Sequence, residues 1–333
     1  MRKLFCIKVL TVACLLISAF PIRAQKVGIS IANQYSERWI KETGLLNDKL
    51  KQLGAEVLME TADDNVEKQL AQSQKMIDAG IKALIVISVD CSASAKIVEA
   101  AHKAGVKVIA YDRLILNSDL DYYVSFNSIK VGELLAGYAI KLRPSGNFMF
   151  LDGPLVDFNS KLIRIGVMKT LDKPIKEGKI KLVFDKNLNE WAELEGYMET
   201  STYLNGNNPK PDAIIAGCDL IGVGVVNALE ENKLSTTIVV GQDADLQACK
   251  GIINGKYGAT ILKSTKQIAY EAAELAYALA KGGAIDKTKL QMTNNGKIDV
   301  PSLLLEPVLV DKSNIDQAII QSGHLTKEQV YAK

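Results

Sequence analysis

Val106-Lys107-Val108-Ile109 runs directly into Ala110-Tyr111-Asp112-Arg113, and the change of character at Asp112 sets the reading of the whole chain. A short apolar run rich in β-branched residues reads as a buried strand. This one ends on a carboxylate and a guanidinium. Far downstream, Ile238-Val239-Val240 runs into Gly241-Gln242-Asp243-Ala244-Asp245 in the same way. Each places hydrogen-bonding side chains just past the carboxyl end of a strand, where open α/β sheets form their ligand crevices. Two such edges facing each other would line a pocket with polar groups.

Outward from these two points the chain alternates. Strands are predicted at 27–31, 55–59, 83–87, 106–110 and 122–126, with helices at 37–53, 66–79 and 94–104 between the first four. Gly54, Gly80 and Gly105 stand where helix C-termini want glycine. The alternation then restarts. Helices are predicted at 131–142, 160–171, 191–203, 222–231, 246–254 and 267–281, and strands at 147–151, 180–184, 213–216, 237–240 and 259–262. Strands alternating with helices of this length imply right-handed crossovers and mostly parallel sheets. The fold class is α/β, with one Rossmann-like design used twice. No low-complexity linker separates the halves, so several short strands are expected to cross a hinge.

The N-terminus reads as a secretory leader. Arg2, Lys3 and Lys8 precede an apolar run from Val9 to Phe20, and Ala24 is the candidate cleavage point. The run is shorter than the roughly 20 residues that span a bilayer. A lipid anchor at Cys14 is the alternative, disfavoured because Leu15, Leu16 and Ile17 continue the apolar segment. Removing residues 1–24 takes away Arg2, Lys3, Lys8 and Arg23, so 40 Lys+Arg against 38 Asp+Glu becomes 36 against 38. A charge of −2 gives no reason to expect nucleic acid or an anionic membrane as partner. Cys91, Cys218 and Cys249 remain beyond the leader. Three thiols cannot all pair and none has C-x-x-C spacing. Unpaired buried cysteines are expected, with a Cys218–Cys249 bridge as the alternative that export permits.

Catalytic signatures are missing: no G-x-x-x-x-G-K-[ST], no G-x-S-x-G and no H-E-x-x-H. No cofactor and no metal is expected. Gly222-Val223-Gly224 lies inside a helix pattern and reads as close packing. His102 and His324 read as surface residues, His324 near an extended tail. Polar groups that make paired hydrogen bonds suit sugar hydroxyls, and aromatic faces suit the C–H patches of a sugar ring. The two tryptophans, Trp39 and Trp191, fall one in each half, each opening a predicted helix after a strand.

Six motifs in order carry a resemblance: Glu37-Arg38-Trp39, Ala110-Tyr111-Asp112-Arg113, Ser125-Phe126 with Lys130-Val131-Gly132-Glu133, Val156-Asp157-Phe158-Asn159-Ser160-Lys161-Leu162, Gly241-Gln242-Asp243-Ala244-Asp245-Leu246, and Asn294-Asn295-Gly296 leading to Asp299-Val300-Pro301-Ser302. With them the chain resembles the periplasmic D-xylose-binding proteins of sugar ABC importers, in the ribose-type group of type 1 periplasmic binding proteins. The resemblance implies two lobes joined by three crossings, with a monosaccharide buried between them. It implies residues 26–126 plus about 263–292 in the first lobe, 127–262 plus about 293–312 in the second, and a tail at 313–333. The implied sugar-binding residues are Arg38, Trp39, Asp112 and Arg113 from the first lobe, Asp157, Asn159, Trp191, Cys218 and Asp243 from the second, and Lys263 near a crossing. Trp39 and Trp191 would sandwich the ring. For Asp112-Arg113 alone the competing reading is a local salt bridge, and for Asp243 a helix cap near Leu246.

The chain departs from the family at three places. Cys218-Asp219 stands where relatives usually carry Asn-Asp, Ser264 where proline is common, and Asn33-Gln34-Tyr35 where the loop is more acidic. A thiol lacks the paired donor and acceptor of an amide, so the preferred sugar is open to change. The implied partners are D-xylose or a related pentose or hexose and a membrane ABC permease, with a sensor kinase as the alternative membrane partner. A periplasmic monomer that performs no chemistry is expected. A glycosidase using Asp112 and Asp157 is the enzymatic rival.

Overall fold

The computed structural model describes residues 24–332. Residues 1–23 of the expected leader, with Cys6 and Cys14, lie outside the described residues. The chain opens with β1 (Lys26–Ile31), α1 (Glu37–Gln52), β2 (Glu56–Thr61), α2 (Val66–Asp78), β3 (Ala83–Val86), α3 (Ala95–Lys103), β4 (Lys107–Tyr111) and β5 (Tyr122–Phe126). All four residues of β3 are buried, as a parallel strand covered on both faces requires. On α1 the buried positions Trp39, Glu42, Thr43, Leu46 and Leu50 follow the three- and four-residue spacing of one helical face. Ser36 caps that helix by accepting from the Trp39 amide at 3.3 Å.

A second run follows: α4 (Ser128–Leu142), β6 (Gly146–Asp152), α5 (Phe158–Lys176), β7 (Ile180–Asn187), α6 (Glu193–Asn205), β8 (Ala213–Ala216), α7 (Asp219–Glu231), β9 (Ile238–Val240), α8 (Leu246–Asn254) and β10 (Thr260–Leu262). The chain returns through α9 (Thr265–Ala280), β11 (Gln291–Asn294) and β12 (Asp299–Leu305). It ends with β13 (Val308–Val310), a π-helical turn at Asp316–Gln321 and α10 (Lys327–Tyr331).

The first sheet has the order β11-β12-β5-β4-β3-β1-β2 and the second β7-β6-β8-β9, with β10 and β13 paired antiparallel. In both lobes the first strand lies between the second and the third, so β2-β1-β3-β4 and β7-β6-β8-β9 repeat one plan. Pairing is parallel everywhere except β11 with β12 and β10 with β13. The chain passes between lobes after β5, after β10 and after β12, which makes the three crossings. Each lobe has apolar clusters on both faces of its sheet.

Several expectations change. The resemblance implies the second lobe for about 293–312, yet β12 pairs in parallel with β5 and β11 pairs with β12, so residues 291–305 widen the first sheet. Only β13 belongs with the second. The tail is not extended: Ile315, Ile319 and Val330 are buried in the second lobe's core. His324 is therefore half-buried rather than superficial, with Nε2 3.1 Å from the Ala244 carbonyl. His102 is also half-buried, 2.7 Å from Asp121. Helix α6 starts at Glu193, which leaves Trp191 in the connection before it. The Gly222–Gly224 expectation holds. A Cβ on Gly222 would stand 2.0 Å from the Tyr257 hydroxyl, and one on Gly224 2.0 Å from the Glu193 carbonyl.

Candidate functional site at the facing strand ends

The site is assembled from the carboxyl ends of seven strands. The connection after β1 carries Arg38 and Trp39, and that after β4 carries Asp112 and Arg113. In the second lobe β6 leads to Asp157 and Asn159, β7 to Trp191, β8 to Cys218 and β9 to Asp243, while Lys263 follows β10. The sheets face each other with these edges, so ten residues scattered over 226 positions of sequence (38 to 263) converge.

Arg38 sits at the centre. Its Nε donates to Glu42 at 2.9 Å, its Nη2 to Asp112 at 3.1 Å, and its Nη1 to Asp243 of the opposite lobe at 3.3 Å. Lys263 Nζ lies 2.9 Å from the same Asp243 oxygen. A second crossing contact joins Asn159 Nδ2 to the Asp112 carbonyl at 3.1 Å. A third brings Arg113 Nε within 2.9 Å of Asp157 Oδ2. The Arg113 N–H does not point at that oxygen, so the contact is an ion pair without a hydrogen bond, and this buried donor has no aligned acceptor in the protein. Arg113 is anchored instead through Nη1, which donates to the Ser88 carbonyl at 2.9 Å.

The two indoles are held differently. Trp39 is 7% exposed, with the Arg38 guanidinium carbon 4.7 Å and that of Arg113 5.8 Å from its ring centroid, within cation–π range. Trp191 donates through Nε1 to Asp157 Oδ2 at 3.2 Å. Asp157 also caps α5, accepting from the Asn159 amide at 2.9 Å. The helix-cap alternative for Asp243 fails, because the residue preceding α8 in the cap position is Asp245. The local-salt-bridge alternative for Asp112 and Arg113 also fails, since their carboxylate and guanidinium pair with Arg38 and Asp157.

Burial acts on the charges in opposite directions. Burial alone would raise the Asp112 carboxyl, but Arg38, Lys263 and Arg113 together hold it below the usual carboxylate range. Below the site loop, burial first and Asp243 second push Asp245 up to about 7. Asp219 is raised further by burial and by Asp245. Asp219 is nonetheless fully hydrogen-bonded, accepting from Tyr257, Thr260 and the Asp245 amide at 3.0, 2.6 and 3.0 Å. Cys218 is 4% exposed at the start of α7, and burial with Asp243 nearby pushes its thiol up. Cys91, Cys218 and Cys249 are all free and buried, so the Cys218–Cys249 bridge is not formed.

Both site loops are strained. Asp112, Asp243 and Ala244 have φ of 60°, 104° and 55°, in the left-handed region that non-glycine residues avoid at a cost of about 1–3 kcal/mol. Tyr123 and Ser125 both donate to the Asp112 carbonyl at 2.9 Å and hold it in place. Sequence reading missed these supports, and it missed Glu42 and Ser128, whose hydroxyl donates to Asn159 Oδ1 at 2.9 Å. Glu42 was findable, since it lies four residues after Arg38 on one helix; the others carry no local signal. A groove of about 560 Å³ lined by Glu193, Leu194, Tyr197, Asn227, Glu230 and Glu231 shares no residue with this cluster.

Known proteins bear on this arrangement. A family profile described as a periplasmic binding protein domain matches residues 27–284. A D-xylose-binding periplasmic protein of Haemophilus influenzae is 39% identical over 307 residues, which cover 92% of each chain. One of Escherichia coli K12 is 38% identical over 300 residues, 90% of each. Among solved structures, an ABC transporter solute binding protein from Clostridium phytofermentans with bound β-D-glucose superposes with a TM-score of 0.84 at 28% identity, covering 92% of this chain and 100% of that one. With the doubled α/β plan, the three crossings and these matches, the chain belongs to the periplasmic binding protein family.

Proposed function

We propose that this protein is exported and encloses one monosaccharide, D-xylose or a related aldose, between its two lobes for delivery to an ABC-type importer. The observation that carries the reading is the chain of polar contacts across the cleft, Arg38 with Asp243 and Arg113 with Asp157. Three carboxylates, two guanidiniums, an ammonium, an amide and two indoles meet there, and such groups suit hydroxyls and C–H faces. The Arg113 Nε–H, buried without an aligned acceptor, is a donor that a sugar hydroxyl can satisfy. Relatives named for D-xylose narrow the ligand class.

The charge held on Asp112 supports binding without bond cleavage. A glycosidase acid needs a carboxyl raised into the proton-donating range, whereas Asp112 is held ionised by three cations. Closure is driven by sugar only to the extent that it binds the closed form better than the open one. Titration calorimetry of residues 25–333 against D-xylose, D-glucose, D-ribose and L-arabinose tests the reading. Saturable heat at one sugar per chain is expected for at least one aldose, and its loss in Asp243→Ala. Absence of heat with every aldose overturns it.

A further inference from the structure

We propose that Gly153, at the end of β6, is a positioning residue that sets the height of the Trp191 indole in the cleft. A Cβ built on Gly153 would stand 2.2, 2.2 and 2.4 Å from Trp191 Cη2, Cζ2 and Cζ3. Near-equal distances to three consecutive ring atoms place that carbon over the face of the six-membered ring rather than off its edge. One face of the indole therefore lies flat on the Gly153 backbone, and the opposite face is the one free to meet a ligand. Gly217, at the end of β8, flanks the seat, since its added Cβ would be 3.0 Å from Trp191 Cζ3.

The seat cannot yield. The Gly153 amide donates to Asp152 Oδ1 at 2.9 Å, and its carbonyl accepts from Asn187 Nδ2 at 2.8 Å. Asn187 is held in turn by Arg164 Nη2 at 3.0 Å. The indole is tethered at its other end by Nε1 to Asp157, the residue that also meets Arg113 across the cleft. Carbon contacts settle at about 3.5–4.0 Å, so a methyl at 153 must lift the ring by roughly 1 Å or more. Lifting tilts it against its tether and moves the stacking face into the space a pyranose would fill. Gly153 has no positive φ, so alanine is acceptable to the backbone itself and its effect falls on the ring.

The inference rests on the sugar reading for its affinity consequence, and the test separates the two. Overpacking of this size costs about 1–3 kcal/mol, which is roughly 5- to 150-fold where it falls on affinity. Gly153→Ala should therefore weaken binding of the best aldose by about that factor. In Trp191→Phe, whose smaller ring lacks the three clashing atoms, Gly153→Ala should add no further loss. Losses that simply multiply in the double variant overturn the proposal, as does undiminished affinity in Gly153→Ala. A second readout needs no sugar. With Trp39→Phe leaving Trp191 as the sole indole, Gly153→Ala should shift its emission and raise acrylamide quenching, and an unchanged spectrum overturns the positioning role. If no aldose binds the unaltered protein while the spectrum shifts, the sugar reading falls and the seat stands.

Discussion

Replacing Arg38 by methionine should cost the sugar-free protein about 3–5 kcal/mol at pH 7.5, the range for removing one partner of a buried ion pair. The size follows from the surroundings. Arg38 is 10% exposed and its three carboxylates, Glu42, Asp112 and Asp243, are 0%, 5% and 15% exposed. Methionine fills the stem volume and leaves the carboxylates facing one another. Burial already raises Glu42 despite Arg38, the strongest influence pulling it down. In the variant Glu42 rises further and Asp112 loses the strongest influence holding it down, so the folded state holds more protons than the parent's through the mildly acidic range. Stability then falls as pH rises through the folded values, and the deficit against the parent should shrink from pH 7.5 to pH 5. Urea unfolding of both proteins at the two pH values measures it. Adding Glu42→Gln should recover part of the loss, and Arg38→Lys, a charge without the planar fork, should fall between. A deficit under about 1 kcal/mol, or one that does not change with pH, refutes the account.

Two further predictions concern pH and a helix end. Burial, then Lys41, lowers His324 to about 4, which makes stability rise between about pH 4 and 6.5; Asp245, raised to about 7, makes it fall between about 4 and 7. The slopes oppose each other, amounting to up to about 3 kcal/mol for His324 and about 4 kcal/mol for Asp245 across their windows. Relative to the parent, His324→Asn should tilt the profile toward a fall with rising pH and Asp245→Asn toward a rise, both read from unfolding midpoints between pH 4 and 7; profiles identical to the parent's would contradict the assignment. Lys233, exposed with φ 55° just past α7, stands where helices favour glycine. Lys233→Gly should stabilise by about 0.5–1 kcal/mol, seen as a higher melting temperature, and a lower one would count against the strain.

The legible part of the fold was the part encoded locally. Continuous apolar runs such as Ala83–Val86 and the helix-ending glycines marked the β–α alternation. Strands β11 and β12 were missed because Gln291-Met292-Thr293-Asn294 and a segment containing Pro301 lack any strand periodicity. They are strands because β5 offers a free edge. The tail was misread for a similar reason: Ile315, Ile319 and Val330 make an apolar stripe only once the second lobe supplies a surface for it. In the site, strand-end residues were visible by type and position, but their partners were not.

What the chain determines unaided is its β–α order and which polar residues fall at strand ends, because both follow from period and from turn chemistry within a few residues. Tertiary structure alone decided that Arg38 meets Asp243 across 205 positions, that Arg113 is left with an unmatched donor, and that the Trp191 indole rests on Gly153. The first two depend on how the two sheets face each other and the third on the pairing of β6 with β7, and no local pattern of residues records either relation.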